Sequence, residues 1–174
     1  MITKMFFAGS GGQGILLMGQ MIAKAAMYEG KFVTFLPSYG PEMRGGTANC
    51  TVVVSDKPVS CPLIYEADAV IAMNLPSLTK FEGLVKPGCK LFINSSLIAA
   101  ETTRTDVDFI KIPANEKAIE LGNERTANII MLGAIVSKTG VVKMESVEHV
   151  LETVFSGPKA KLLPLNKQAI KTFA

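Results

Sequence analysis

The hexapeptide Gly9-Ser10-Gly11-Gly12-Gln13-Gly14 constrains the fold more than any other part of the chain. It follows a short apolar run, residues 4–8, and it opens a segment rich in Leu, Met, Ile and Ala, residues 13–29, that stops near Gly30. An apolar run, a glycine turn and a long apolar segment read as strand, turn and helix. A second strand is expected at residues 32–36, and a strand–helix–strand of this length is a parallel βαβ unit with a right-handed crossover. The helix is apolar on nearly every side, with Gln13, Gln20 and Lys24 as its main polar interruptions. A surface helix shows one wet face, so this one is expected to be covered by the sheet and by something else.

The alternation of strands and helices continues. Residues 37–46 (PSYGPEMRGG) hold five Pro or Gly in ten and read as a structured loop, neither helix nor strand. Strands are expected at 47–55, 68–73, 90–94 and 108–112, with a helix at 76–85. Helices follow at 116–121, at 126–139 with Gly140 as a stop, and at 145–155 with Gly157 and Pro158 beyond, before a basic tail whose lysines read as a solvated face. No repeat or linker is visible. The expected fold is α/β: a Rossmann-like single domain over residues 1–174, with a mostly parallel central sheet flanked by helices and a helical C-terminal part. A chain of 174 residues has no room for a second domain.

Composition removes several function classes. Eighteen Lys and Arg against fifteen Asp and Glu leave a dispersed +3, which does not make a nucleic-acid surface. The chain is 48% apolar and only 19% charged, against about 25% for an average domain. It is therefore not disordered, and part of its surface is expected to lie under another chain. Cys50, Cys61 and Cys89 are too far apart for a Cys-x-x-Cys pair, and their odd number suits a reducing cytoplasm. With His149 the sole histidine, a zinc site or a catalytic triad finds few partners, and no metal ligands are assigned. The uncharged stretch 5–23 is interrupted by the glycines, which argues against a membrane span, and the run before them is too short for a signal peptide.

The candidate site residues fall in three segments. Gly9, Ser10, Gly11, Gly12, Gln13 and Gly14 match Gly-x-Gly-x-x-Gly in the dinucleotide context, after a strand and opening a helix. Glycines there allow close backbone approach, and the helix start favours an anionic group. The acidic residue that holds a ribose is missing, because the second strand ends Phe35-Leu36-Pro37. Three readings stay open: glycines that only pack, a dinucleotide site, or a site for another phosphate-bearing ligand. In the second segment Tyr39, Gly40, Glu42, Met43, Arg44, Gly45 and Gly46 form a loop beyond the second strand, either an interface anchor or a turn with an internal Glu42–Arg44 pair. The third is Asn94, which ends a strand at the same edge, as a hydrogen-bond donor or a turn former. Thr126 is expected as a helix cap, and Gly133 as a place where another backbone comes close. His149 is given no role.

Three segments together, GSGGQGI, PSYGPEMRGGTANCTVVVSD and TANIIMLGA, resemble the gamma subunit of the 2-oxoacid:ferredoxin oxidoreductases over essentially the whole chain. The resemblance implies membership of an enzyme that converts a 2-oxoacid and coenzyme A to acyl-CoA and carbon dioxide while reducing ferredoxin, with 2-oxoglutarate favoured among substrates. It implies partner subunits, alpha, beta and in some enzymes delta, that hold thiamine diphosphate, magnesium and the iron–sulfur clusters, with no cofactor resident in this chain. It further implies that Gly9 to Gly14 and Tyr39 to Gly46 face the junction with the catalytic subunits, near coenzyme A. The isolated chain is then expected to be inactive and to form a homodimer through the face its partners cover. The competing class is a stand-alone nucleotide-binding oxidoreductase.

Overall fold

Alternation along β1 (Ile2–Ser10) sets up two cores: Met5 and Phe7 are buried on one face of the sheet, Phe6 and Ala8 on the other. The structure, a computed structural model, describes residues 1–39 and 47–173. Besides β1, the sheet contains β2 (Phe32–Tyr39), β3 (Thr47–Ser55), β4 (Ala67–Ala72), β5 (Val85–Asn94) and β6 (Asp108–Ile112), in the spatial order β2-β3-β1-β4-β5-β6. The ladders β1–β4, β4–β5 and β5–β6 are parallel, whereas β3 runs antiparallel to both of its neighbours. The sheet is therefore mostly parallel, as expected.

Two expectations about the first crossover need correction. β1 and β2 run the same way but are not adjacent, because β3 lies between them. The reason lies in β3, where Cys50, Val52 and Val54 are buried on one face and Thr51, Val53 and Ser55 on the other. A strand buried on both faces belongs inside a sheet. The loop also starts later than its Pro and Gly content suggests: Pro37, Ser38 and Tyr39 pair with Cys50, Asn49 and Ala48. β2 is an edge strand, the one place where a proline's missing N–H is tolerated in a ladder.

One face carries α1 (Ile15–Tyr28), α3 (Ala114–Glu120), α4 (Ala127–Thr139), α5 (Met144–Val154) and α6 (Leu163–Ile170); α2 (Leu75–Phe81) covers the other. The helix expected at 76–85 is shorter because a 3-10 turn, Glu82–Leu84, leads directly into β5 at Val85. α1 packs against the sheet and also against α4 and α5, but Gln20, Lys24, Met27 and Tyr28 line up on an exposed stripe, so the helix expected to be covered on nearly every side keeps one open face. The C-terminal part is helical, as expected, with Lys159, Lys161 and Lys171 exposed. In α6, Asn166, Ala169 and Ile170 are buried against α4, and a Cβ added at Gly133 would land on the Ile170 carbonyl oxygen. Gly133 thus admits another backbone, as expected. Thr126 does not cap α4 with its side chain; its hydroxyl donates to the Asn123 carbonyl instead, 2.8 Å away. No helix among the described residues is long and apolar enough to cross a membrane.

Candidate functional site

The chain leaves β1 for α1 on one face and leaves β4 for α2 on the other, so the carboxyl ends of these adjacent strands form a topological switch point, where open α/β sheets place ligands. The glycine turn sits there. Gly14 adopts a left-handed conformation, φ 73°, and starts α1 with no side-chain cap and no acidic residue in the first turn. The N–H groups of that turn are free to meet an anion. Gly14 must be glycine on two counts, since a Cβ would also land on the Asn128 amide nitrogen.

Asn128 lies at the start of α4 and is 8% exposed. Its Oδ1 accepts from the Ile129 N–H, 3.0 Å away. Its Nδ2 has no hydrogen-bond partner among the described residues, and the side chain lines a cavity of about 360 Å³. Gly12, Gln13, Gly14 and Met73 form one wall of that cavity; Asn115, Glu124 and Arg125 form another. Arg125 makes no ion pair among the described residues, while the Glu124 carboxylate accepts from Asn115 Nδ2 at 3.2 Å. The site therefore presents a helix start, a guanidinium and several amides, with the one carboxylate already engaged. This chemistry suits an anionic group carried on a larger polar molecule.

Asn94 ends β5 and is fully buried. It reaches the cavity through a neighbour: its Nδ2 donates to Asn115 Oδ1 at 2.7 Å, and its Oδ1 has no partner among the described residues. Tyr39 ends β2 on the same edge, two strands away from Gly9, with Ala48 of β3 paired to both. The remaining loop candidates, Gly40, Glu42, Met43, Arg44, Gly45 and Gly46, lie outside the described residues. Sequence reasoning did not single out Asn115, Glu124, Arg125 or Asn128 for the candidate site. The signal available was the polar run Asn123-Glu124-Arg125 just before an all-apolar helix. His149, given no role, stacks on Tyr28 with ring centroids 4.4 Å apart, between α1 and α5.

The described residues supply no self-sufficient catalytic set at this edge. No group of three His, Cys, Asp or Glu side chains among them could hold a metal ion. The end of β2, Leu36-Pro37-Ser38-Tyr39, offers no acid for a ribose, which counts against a dinucleotide. The Ser10 N–H is taken by Gln13 Oε1 at 2.7 Å.

A family model described as pyruvate ferredoxin/flavodoxin oxidoreductase matches residues 4–172. The chain belongs to this family. It is 38% identical over 169 residues to the ketoisovalerate oxidoreductase subunit VorA of Methanothermobacter marburgensis, covering 96% of this chain but 35% of VorA. This chain thus spans about a third of the length of that relative. The 2-oxoglutarate synthase subunit KorC of Methanocaldococcus jannaschii is 34% identical over 160 residues, 90% of this chain and 86% of KorC. Among solved structures, the keto/oxoacid ferredoxin oxidoreductase gamma subunit of Geobacter sulfurreducens matches with a TM-score of 0.83 at 31% identity, covering 98% of this chain and 95% of that one. A 2-oxoglutarate:ferredoxin oxidoreductase of Magnetococcus marinus, solved with 2-oxoglutarate, coenzyme A and succinyl-CoA, shares the fold at a TM-score of 0.91 and 24% identity, covering 99% of this chain and 30% of that one. The resemblance to gamma subunits that three sequence segments carried extends across the family match.

Proposed function

We propose that this chain serves as the gamma subunit of a 2-oxoacid:ferredoxin oxidoreductase and that its carboxyl edge helps to hold coenzyme A against the catalytic subunits. The observation that carries the reading is the pairing, in one cavity, of an uncapped α1 start with the largely buried Asn128 side chain, whose Nδ2 has no partner among the described residues. Coenzyme A is a large polar molecule bearing phosphates, the class of ligand this cavity's chemistry suits. The Magnetococcus marinus relative in the same fold was solved with it.

In this reading the alpha and beta subunits, with a delta subunit in some assemblies, supply thiamine diphosphate, magnesium and the iron–sulfur clusters, and ferredoxin meets the complex through them. Thiamine diphosphate supplies the decarboxylation chemistry when bound there. This chain's part is to bind and orient: the α1 N–H groups, Asn128 Nδ2 and Arg125 take phosphate oxygens, while the low charge of the rest of the chain suits burial under partners. Arg44 and Glu42, outside the described residues, are assigned to the same junction on the family resemblance alone. The isolated chain is inactive and self-associates. Of the substrates named among its relatives, ketoisovalerate, 2-oxoglutarate and pyruvate, we favour 2-oxoglutarate, and we place the complex in the cytoplasm.

The test is anaerobic affinity purification of the chain from its native cells, followed by viologen reduction with a panel of 2-oxoacids. The expected result is recovery of larger thiamine- and iron–sulfur-binding subunits, with reduction that requires coenzyme A and is fastest with 2-oxoglutarate. A chain that emerges alone and without this activity contradicts the proposal.

A further inference from the structure

We infer that Gln13 is a positioning residue: it latches the glycine turn into its ligand-ready shape before any ligand arrives. The inference rests on the reading of the adjoining cavity as part of a coenzyme A site. In glycine turns that bind phosphate, the backbone N–H groups are left for the ligand. Here the turn uses one of its own residues as an internal substitute. Gln13 Oε1 accepts from the Ser10 N–H at 2.7 Å, and the Gln13 N–H donates to the Ser10 carbonyl at 3.2 Å, which closes a ring across Gly11 and Gly12. The other end of the amide is anchored in the sheet. Gln13 Nε2 donates to the Met73 carbonyl at 3.1 Å, and the Met73 N–H donates to the Ala8 carbonyl at 2.9 Å, so the turn is tied across β1 and β4.

Gly9 makes room for this latch, because a Cβ there would fall 2.6 Å from Gln13 Oε1. A second tie comes from Asn74, whose Nδ2 donates to Ser10 Oγ at 2.5 Å while its Oδ1 caps α2 through the Ser77 N–H at 3.0 Å. Gly11 and Gly12, exposed at the crest, and the first turn of α1 are what remains on offer to a ligand. A glycine-rich segment left untied would have to be ordered on binding, at a cost in backbone entropy. The latch removes part of that cost in advance.

The decisive variant is Gln13→Met in the assembled enzyme, which keeps the side chain's length and removes both of its hydrogen bonds. The expected result is faster amide hydrogen exchange across residues 10–14 and a KM for coenzyme A raised about tenfold, in keeping with two hydrogen bonds lost. kcat at saturating coenzyme A and KM for the 2-oxoacid should stay within about twofold, a split that a general loss of fold does not produce. Asn128→Ala is measured alongside, to test the site itself. If Asn128→Ala raises the KM for coenzyme A and Gln13→Met speeds exchange without moving that KM, the positioning role is wrong and the site stands. Unchanged exchange in Gln13→Met also overturns the latch. If neither variant moves the KM for coenzyme A, the coenzyme A reading fails and the latch's role fails with it.

Discussion

Gly14 and Gly133 each exclude a side chain because another residue occupies the space, yet they do opposite jobs. At Gly133 the intruder is backbone, the Ile170 carbonyl oxygen, deep in the contact between α4 and α6 and sealed on every side. At Gly14 it is the Asn128 side chain, and the space around the pair opens into a cavity lined by amides and a guanidinium. One glycine closes a core and the other shapes a site. The distinction does not lie in residue type or in closeness of approach. It lies in what surrounds the contact: apolar atoms in the first case, unpartnered polar atoms in the second.

The largest expected effect comes from Gly133→Ala. Backbone on both sides cannot step aside as a flexible side chain can, so α6 must shift away from α4, at about 3 kcal/mol or more. Thermal or denaturant unfolding of the isolated chain measures this directly. An unchanged midpoint would break the contrast. Gly14→Ala should cost less, about 1–2 kcal/mol for a left-handed residue, because the Asn128 amide can rotate away. In the assembled enzyme the same change should raise the KM for coenzyme A, which Gly133→Ala in protein that remains folded should not do.

Glu29 tests a third kind of contact, a charge that fastens α1 to α5. Its Oε1 accepts from the Lys143 N–H at 2.6 Å and its Oε2 pairs with Lys31 Nζ at 2.9 Å. Burial pushes this carboxyl up, but the Lys143 N–H, Lys31 and Ser146 outweigh it, and the group is held below its ordinary 4.5. A lowered carboxyl stabilises the fold above its unfolded value, and that contribution disappears as pH falls through the folded value. Glu29→Gln should therefore cost about 1 kcal/mol at neutral pH, and the gap to the wild-type chain should close as the pH falls through the lowered folded value, below the group's ordinary 4.5. The smallest effect is chemical. Burial raises the Cys50 thiol to about 12, so neutral alkylating reagents should modify exposed Cys61 and leave Cys50 intact in the folded chain. Since Cys50 Sγ lies beneath α1, 3.7 Å from the Ile15 carbonyl, its labelling rate reports on opening of the helix start. Gly14→Ala should speed that labelling more than Gly133→Ala does, relative to each variant's loss of stability.

The α/β class was readable because strand, glycine turn and apolar helix succeed each other within the first 36 residues. The insertion of β3 between β1 and β2 was not, since local pattern gives a strand's existence but not its neighbours; only the burial of both faces from Cys50 to Ser55 betrays a central strand. Pro37 misled in the same way, reading as a strand breaker until the edge position of β2 made it harmless. At the candidate site, the glycines were visible through their Gly-x-Gly-x-x-Gly spacing after a strand, and Asn94 through its place at a strand end. Arg125, Glu124 and Asn115 were not, because they are ordinary surface residues in sequence and become a wall only when α3 and α4 pack beside β5 and α1. No local rule brings Asn128 to Gly14, 114 residues earlier in the chain.

The most direct test of the central claim is a coenzyme A titration of the purified complex carrying Arg125→Ala, with viologen reduction as the readout. The expected result is a KM for coenzyme A raised about tenfold or more, from loss of a charge-assisted contact, with the KM for the 2-oxoacid unchanged. Identical coenzyme A dependence in variant and wild-type complexes would contradict it, and would return the cavity to the role of a packing gap between subunits.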